Sequence, residues 1–247
     1  MTRLMTHLVV GNPSMAITKR FINEMIAREV SAIELQIPFS DPIADGPVLM
    51  KANDNAVGNG VSVDETLKLL SSLTVHKTKI YIMSYLQPIL AYGASKFFEK
   101  AIELGCKGFI IPDLPFDAPE MISFITEEPS LKQLIVPVLS PEMHITRISE
   151  VFEALEPNLV YVTARHGITG DRTESVTKHL TALIGHIRSQ CDARVAVGFG
   201  IQTANDVKNV LEIADLAVVG SALTTAQNES EAAAVRLLTS LVNAAEE

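Results

Sequence analysis

The first position in this sequence that suggests chemistry is Glu34. It lies in Ala32-Ile33-Glu34-Leu35-Gln36-Ile37, where a period of two sends Glu34 and Gln36 to one face and Ile33, Leu35 and Ile37 to the other. If the aliphatic set faces a layer of helices, the carboxyl group points inward. Desolvation there favours its protonated form and suits it to general acid/base work. The competing reading is a buried glutamate satisfied by a backbone or lysine partner. Directly downstream runs Pro38-Phe39-Ser40-Asp41-Pro42-Ile43-Ala44-Asp45-Gly46-Pro47. Its prolines restrict the backbone, so Asp41 or Asp45 can be held opposite Glu34 to complete a carboxylate pair. The plainer alternative is that the two aspartates cap turns or the next helix.

A second group of residues suits an anion. Gly167-Ile168-Thr169-Gly170, Gly198-Phe199-Gly200 and Gly220-Ser221 each follow a β-branched or aliphatic run, and glycine lets backbone amides approach a ligand closely. Alone, each turn says little; together they place three amide-rich turns near the end of the chain, as a phosphate site requires. The histidines converge less. His7 falls on a strand and His166 in a loop, whereas His76, His144, His179 and His186 fall on helices or their ends, so no metal is expected. Asp113, in Ile111-Pro112-Asp113-Leu114-Pro115, can reach the same region, although a turn or interface role is the stronger reading.

The elements that must carry these residues recur regularly. Candidate strands lie at 7–10, 32–37, 79–84, 108–112, 134–139, 159–164, 194–199 and 216–220. Amphipathic helices are expected over 14–28, 63–75, 95–104, 119–127, 142–155, 174–188, 205–212 and 230–245. Ser62 and Glu65 form a capping-box pattern ahead of Leu67, Leu70 and Leu73, and Pro119 suits a first helical turn. Eight strand-then-helix units predict the α/β class and a single (β/α)8 TIM barrel domain over 1–247, with chemistry beyond the C-terminal strand ends. A doubly wound open sheet is the rival architecture and puts its site at the same strand ends.

Composition narrows the partners. The chain has 247 residues, 47% of them hydrophobic and 20% charged, enough apolar material for a sheet buried on both faces. A formal net charge of −9 speaks against nucleic acid and anionic membrane surfaces. Two cysteines, Cys106 and Cys191, form no CxxC pair, so a reducing cytoplasm is expected rather than a disulfide framework. The N-terminal segment lacks the pattern of a signal peptide, and no apolar run reaches bilayer-spanning length.

Glu34-Leu35-x-Ile37-Pro38-Phe39-Ser40-Asp41-Pro42-x-Ala44-Asp45-Gly46-Pro47 resembles the signature of tryptophan synthase α chains. The turns Gly167 to Gly170, Gly198 to Ile201 and Val219 to Ala222 resemble that family's later motifs in the same order, and the similarity runs from about Gly11 to Leu223. The resemblance implies a lyase of tryptophan biosynthesis that splits indole-3-glycerol phosphate into indole and glyceraldehyde 3-phosphate by a retro-aldol reaction, with no metal or organic cofactor. It implies Glu34 as the acid/base that moves protons to indole C3 and from the glycerol hydroxyl. Asp45 would be the acceptor of the indole N–H. An apolar pocket lets one acid hold its proton while a better solvated carboxylate stays ionised. Tyr161 would help place Glu34 and substrate, and Thr169 would hold Asp45 when its loop closes. Phosphate would rest on amides of Gly170, Gly198, Phe199, Gly200, Gly220 and Ser221. A pyridoxal-phosphate β subunit in an αββα assembly is the implied partner, facing the loop after strand two and the segment 85–88.

Several positions depart from the family's usual pattern. Gln36 stands where a glycine is usual, and because it shares Glu34's face its side chain is expected to crowd the pocket or rearrange its hydrogen bonds. His7 replaces an aromatic, Gln87 an asparagine, and Val138-Leu139-Ser140-Pro141 a Pro-Thr-Thr-Pro run. The N-terminal segment is short, with little room for a helix plugging the barrel floor. Two other functions remain compatible with the pattern: a catalytically weak barrel that activates a β partner, and another phosphosugar barrel such as a metal-dependent epimerase. Against the latter stands the lack of a paired strand-end histidine set.

Overall fold

The computed structural model describes residues 2–74, 77–116, 118–125, 129–163, 174–198 and 200–246. Among the described residues nine strands are formed: β1 Leu4–Val9, β2 Ala32–Gln36, β3 Lys79–Met83, β4 Phe109–Ile110, β5 Ile135–Val136, β6 Val138–Leu139, β7 Leu159–Thr163, β8 Arg194–Gly198 and β9 Leu216–Val219. All the ladder pairs are parallel, in the order β5-β4-β3-β2-β1-β9-β8-β7-β6. The two ends of that order, β5 and β6, are separated in the chain by Pro137 alone, so they are halves of one strand and the sheet closes on itself. Proline has no N–H to give the ladder, which interrupts the strand there. Its carbonyl still accepts from the Tyr161 N–H at 2.9 Å. The result is a (β/α)8 TIM barrel, as the strand–helix alternation predicts.

The alternation within each strand divides the core into two shells. Ile33, Leu35 and Ile37 point outward and join the layer between barrel and helices, together with Phe97, Phe98 and Phe109. Met5, Tyr81, Met83, Tyr161, Leu216 and Val218 point into the barrel and fill it. Glu34 and Gln36 share the inward face, so the orientation expected for β2 holds.

Around the barrel lie α1 Met15–Ala27, α2 Pro47–Gly58, α3 Val63–Ser71, α4 Leu86–Tyr92, α5 Ala94–Glu103, α6 Pro119–Ile125, α7 Ile145–Ala154, α8 Glu174–Gln190, α9 Ala204–Leu211, α10 Ser221–Glu229 and α11 Glu231–Glu246. The expected helices are all present within a few residues, with parts of 63–75 and 119–127 lying outside the described residues. Three were not anticipated. α2 reads PVLMKANDNAVG, in which Asn and Asp favour non-helical turns. It forms because Pro47 occupies the first turn and Ala52, Asn53 and Ala56 bury against the barrel. α4 carries Pro88 in its first turn, where a missing N–H costs little. α10 is polar and threonine-rich, with no marked apolar stripe. At α3, the Ser62 hydroxyl accepts from the Glu65 N–H at 3.4 Å, but the Glu65 carboxylate takes the Lys68 ammonium at 2.7 Å instead of closing the capping box.

Candidate active site

The inward side chains of β1 and β2 meet at the C-terminal mouth of the barrel. His7 and Glu34 are register partners on adjacent parallel strands, which puts their side chains side by side on one face. Nδ1 of His7 lies 3.2 Å from Glu34 Oε2. The contact is within ion-pair range but not aligned as a hydrogen bond, and Oε2 is otherwise buried without one. On its other side, His7 Nε2 is 2.9 Å from Gln36 Oε1, and Gln36 Nε2 donates to Asp45 Oδ2 at 2.6 Å. A continuous polar chain therefore joins the two acids: Glu34, His7, Gln36, Asp45.

The loop that presents Asp45 is pinned from both sides. Asn53, fully buried on α2, donates from Nδ2 to Asp45 Oδ2 at 3.2 Å and to the Leu49 carbonyl at 2.9 Å, while its Oδ1 accepts from the Phe39 N–H at 3.0 Å. From β3's end, the Tyr85 hydroxyl accepts from the Ala44 N–H at 3.0 Å, and its ring packs on Phe39 at 5.4 Å between centroids. Asp41 takes a different part. It is exposed and accepts from the Ser40 hydroxyl at 2.6 Å, while its carbonyl accepts from Ile43 N–H at 2.8 Å. Of the two candidate aspartates, Asp45 is the one brought to Glu34, and Asp41 shapes a turn.

Burial sets the protonation of this cluster. It pushes the Asp45 carboxyl upward, against the downward pull of His7 and of the Gln36 and Tyr85 hydrogen bonds. For His7, burial lowers the imidazole, but the Glu34 charge beside it, helped by Asp45 and Gln36, outweighs burial and leaves its pKa raised. Tyr161 is raised well above the usual phenol value, by burial first and then by the charges of Glu34 and Asp45, so it stays a neutral hydroxyl.

These groups line one cavity of about 360 Å3. Glu34, His7, Asp45 and Tyr161 stand on its walls, and Met83, Ile110, Val138 and Val218 supply an apolar slot between them. At the far end lie Gly200, Ile201, Gln202, Gly220 and Ser221. Gly220 is the N-cap of α10, so that helix directs its free amides and the positive end of its dipole at the cavity. Among the described lining residues there is no Lys or Arg, which leaves amides and the helix end to hold an anion.

Two glycines are required by side chains rather than by a ligand. A Cβ at Gly198 would stand 2.1 Å from the Tyr161 hydroxyl, and one at Gly220 would stand 3.1 Å from His7 Cδ2. Gly200 instead adopts φ +80°, a left-handed turn beyond β8. Gly198 ends β8 behind Tyr161 and is absent from the described cavity wall. Thr169, Gly170 and Phe199 lie outside the described residues, as does His166. Asp113 accepts from the Leu86 N–H at 2.9 Å and so caps α4 away from the cavity.

Sequence reasoning passed over Asn53, gave His7 no role, and placed Tyr85 only in the partner-facing segment 85–88, whereas its side chain is fully buried. Continuing the inward period from β2 onto its neighbour would have found His7. Asn53 was hidden by the missed α2. Among the described residues, no group of three or more His, Cys, Asp and Glu side chains is placed to hold a metal ion, and no helix is long and apolar enough to cross a membrane.

Comparison with known proteins agrees with this geometry. The family model described as tryptophan synthase alpha chain matches residues 1–247. A tryptophan synthase alpha chain of Desulfotalea psychrophila is 35% identical over 221 residues, covering 88% of this chain and 85% of the relative. One from Thermotoga petrophila is 33% identical over 233 residues, covering 93% and 92%. Among solved structures, tryptophan synthase from Mycobacterium tuberculosis superposes with TM-score 0.87 at 27% identity, over 100% of this chain and 93% of that one. The alpha subunit from Campylobacter jejuni does so with TM-score 0.85 at 26% identity, over 97% and 95%. With two inward acids, an apolar slot and a helix end on one barrel mouth, and a family match along its whole length, this chain belongs to the tryptophan synthase alpha chain family.

Proposed function

We propose that this barrel cleaves indole-3-glycerol phosphate to indole and glyceraldehyde 3-phosphate, as a lyase of tryptophan biosynthesis. The observation that carries this reading is the placement of Glu34 and Asp45 on the wall of one apolar cavity whose other end is the head of α10. A flat bicyclic ring fits the slot between Met83, Ile110, Val138 and Val218, and the phosphate fits the amides of Gly200, Gly220 and Ser221; by the family resemblance the amides of Gly170 and Phe199 would be added to these. Asp45 accepts the indole N–H. Glu34 gives a proton to indole C3, and Asp45 offsets the positive charge that this creates on the ring. The glycerol hydroxyl next to the ring then returns a proton to Glu34, the carbon–carbon bond breaks, and its electron pair restores the aromatic ring. Tyr161, kept neutral, orients Glu34 and substrate; Thr169 steadies Asp45 when its loop is closed.

The same reading supplies a partner and a setting. A pyridoxal-phosphate-dependent β subunit would receive indole in an αββα assembly, docking on the loop after β2 and on the outward part of 85–88, where Gln87 is exposed and Tyr85 is buried. Ile43, 81% exposed in that loop, with Val48 and Met50 beside it and Leu90 on α4, supports this face. Two free cysteines suit a cytoplasmic enzyme, acting as one domain over 1–247.

The test is indole release from purified protein given indole-3-glycerol phosphate, with and without a β chain. Glu34→Gln keeps the volume of the side chain and removes its acid/base function, so turnover should fall by about a hundredfold or more while the fold, read by circular dichroism, is retained. Near-normal turnover by that variant contradicts the assignment.

A further inference from the structure

The cavity wall holds a buried base that the reaction above leaves unused. His7 is 6% exposed and sits between Glu34 on one side and Gln36 on the other. Gln36 donates Nε2–H to Asp45 Oδ2, which fixes the amide with Oε1 toward His7. An amide oxygen only accepts, so His7 Nε2 must carry a hydrogen. The remaining ring nitrogen faces Glu34 Oε2 at 3.2 Å. Two bare lone pairs facing each other at that distance repel, so the contact is favourable when the pair holds one further proton, either on Nδ1 beside a carboxylate or on the carboxyl group beside a neutral ring.

The other ionisable side chains facing the pair are Asp45, from the loop after β2, and Tyr161, from β7. From the head of α10, Gly220 seats the imidazole closely enough that a Cβ would crowd it at 3.1 Å. Two of the departures from the family's usual pattern, His7 and Gln36, are bonded to each other, so each accounts for the other. Without Gln36 the buried Nε2–H lacks an acceptor, and without His7 the Gln36 carbonyl lacks a donor.

We propose that His7 is the positioning and proton-holding partner of Glu34, so that the pair, and not Glu34 alone, carries the proton that cleavage gives out and takes back. The proposal rests on the lyase reading above. The pair starts with one mobile proton. Glu34 passes it to indole C3, leaving a carboxylate beside a neutral imidazole. The glycerol hydroxyl proton then moves to the carboxylate as the carbon–carbon bond breaks, and the pair again holds one proton. No further donor or acceptor is consumed.

Two measurements test this. In the resting protein, nitrogen NMR of His7 should show titration above the ordinary histidine value of 6.5, and Glu34→Gln should lower it by about one pH unit or more, because burial is then opposed only by the weaker pulls of Asp45 and Gln36. In turnover, His7→Phe should cut kcat about tenfold to a hundredfold with KM within about twofold. The double variant His7→Phe/Gln36→Gly strands neither an imidazole nor an amide, and Asp45 keeps the Asn53 donor, so it separates loss of the proton partner from misfolding. It should keep a kcat–pH profile displaced from that of the wild type. A double variant with the wild-type profile, or a His7 titration indifferent to Glu34→Gln, overturns the proposal. Wild-type protein that releases no indole overturns the lyase reading instead, and the imidazole titration alone then judges the pair.

Discussion

Gly198→Ala isolates one steric constraint in the site. The added methyl would stand 2.1 Å from the Tyr161 hydroxyl oxygen and 2.7 Å from Cζ, whereas ordinary contact begins near 3.5 Å, so the phenol must retreat by about 1 Å or more. It has little room to do so. Tyr161 is 8% exposed, and its ring is packed among inward side chains such as Ala196 and Leu216. Overpacking of this kind typically costs about 1–3 kcal/mol; a midpoint of about 2 kcal/mol corresponds to a loss of about 4–8 °C in Tm for a chain of this length. Because Tyr161 lines the cavity, the displaced hydroxyl also intrudes on the substrate, so kcat/KM should fall with stability. The assay is thermal unfolding and indole release for Gly198→Ala, Tyr161→Phe and the double variant. Removing the hydroxyl removes the shortest contact, so the alanine should cost about 1 kcal/mol less in the Tyr161→Phe background. Strict additivity would refute the reasoning and return Gly198 to a role in amide approach alone.

Ser221→Asp places a carboxylate at the first position of α10, where it suits the helix but repels a bound phosphate. KM for indole-3-glycerol phosphate should rise about tenfold or more with kcat little changed, and an unchanged KM would remove Ser221 from the anion site. The raised pKa of His7 means the folded state binds its proton more tightly than the unfolded chain. The stability it supplies is therefore complete below the ordinary value of 6.5 and is lost as pH rises through the folded value. Tm should decline across that interval in the wild type and decline less in His7→Phe/Gln36→Gly; parallel curves would show that the imidazole contributes no such stability.

Much of the architecture was legible because it follows from periods of two and 3.6 that burial enforces on both sides of the sheet. Ile33, Leu35 and Ile37 point outward and Glu34 inward for that reason alone. Pro137 was read as part of one strand, but its missing N–H splits the ladder in two. The helices that escaped notice, α2, α4 and α10, are held by particular contacts rather than by a broad apolar stripe: Asn53 to Phe39 and Asp45, Asp113 to Leu86. The two acids and the anion end could be located from residue type and strand position. The link between them could not, because it depends on which inward residue of β1 stands beside which of β2. Register is decided by pairing across 27 positions of sequence, here His7 with Glu34, and a lone histidine carries no mark of its neighbour. Gln36 was recognisable as a side chain that had to enter the pocket; that it bridges His7 and Asp45 emerges only once the loop holding Asp45 is in place.

The barrel wall is not equally bound all the way round. From β1 to β2 to β3 the register runs through five residue pairs at each joint, and that arc carries His7, Glu34 and Gln36. Across the cylinder, β4 to β5 and β6 to β7 are joined through two pairs each, with the nick at Pro137 between them. A hoop built this way deforms first on its thin side, where Ile110 and Val138 form the apolar flank of the slot. That flank can widen or narrow around a flat ring while the arc from β1 to β3 holds the imidazole, the acid and the amide at fixed spacing.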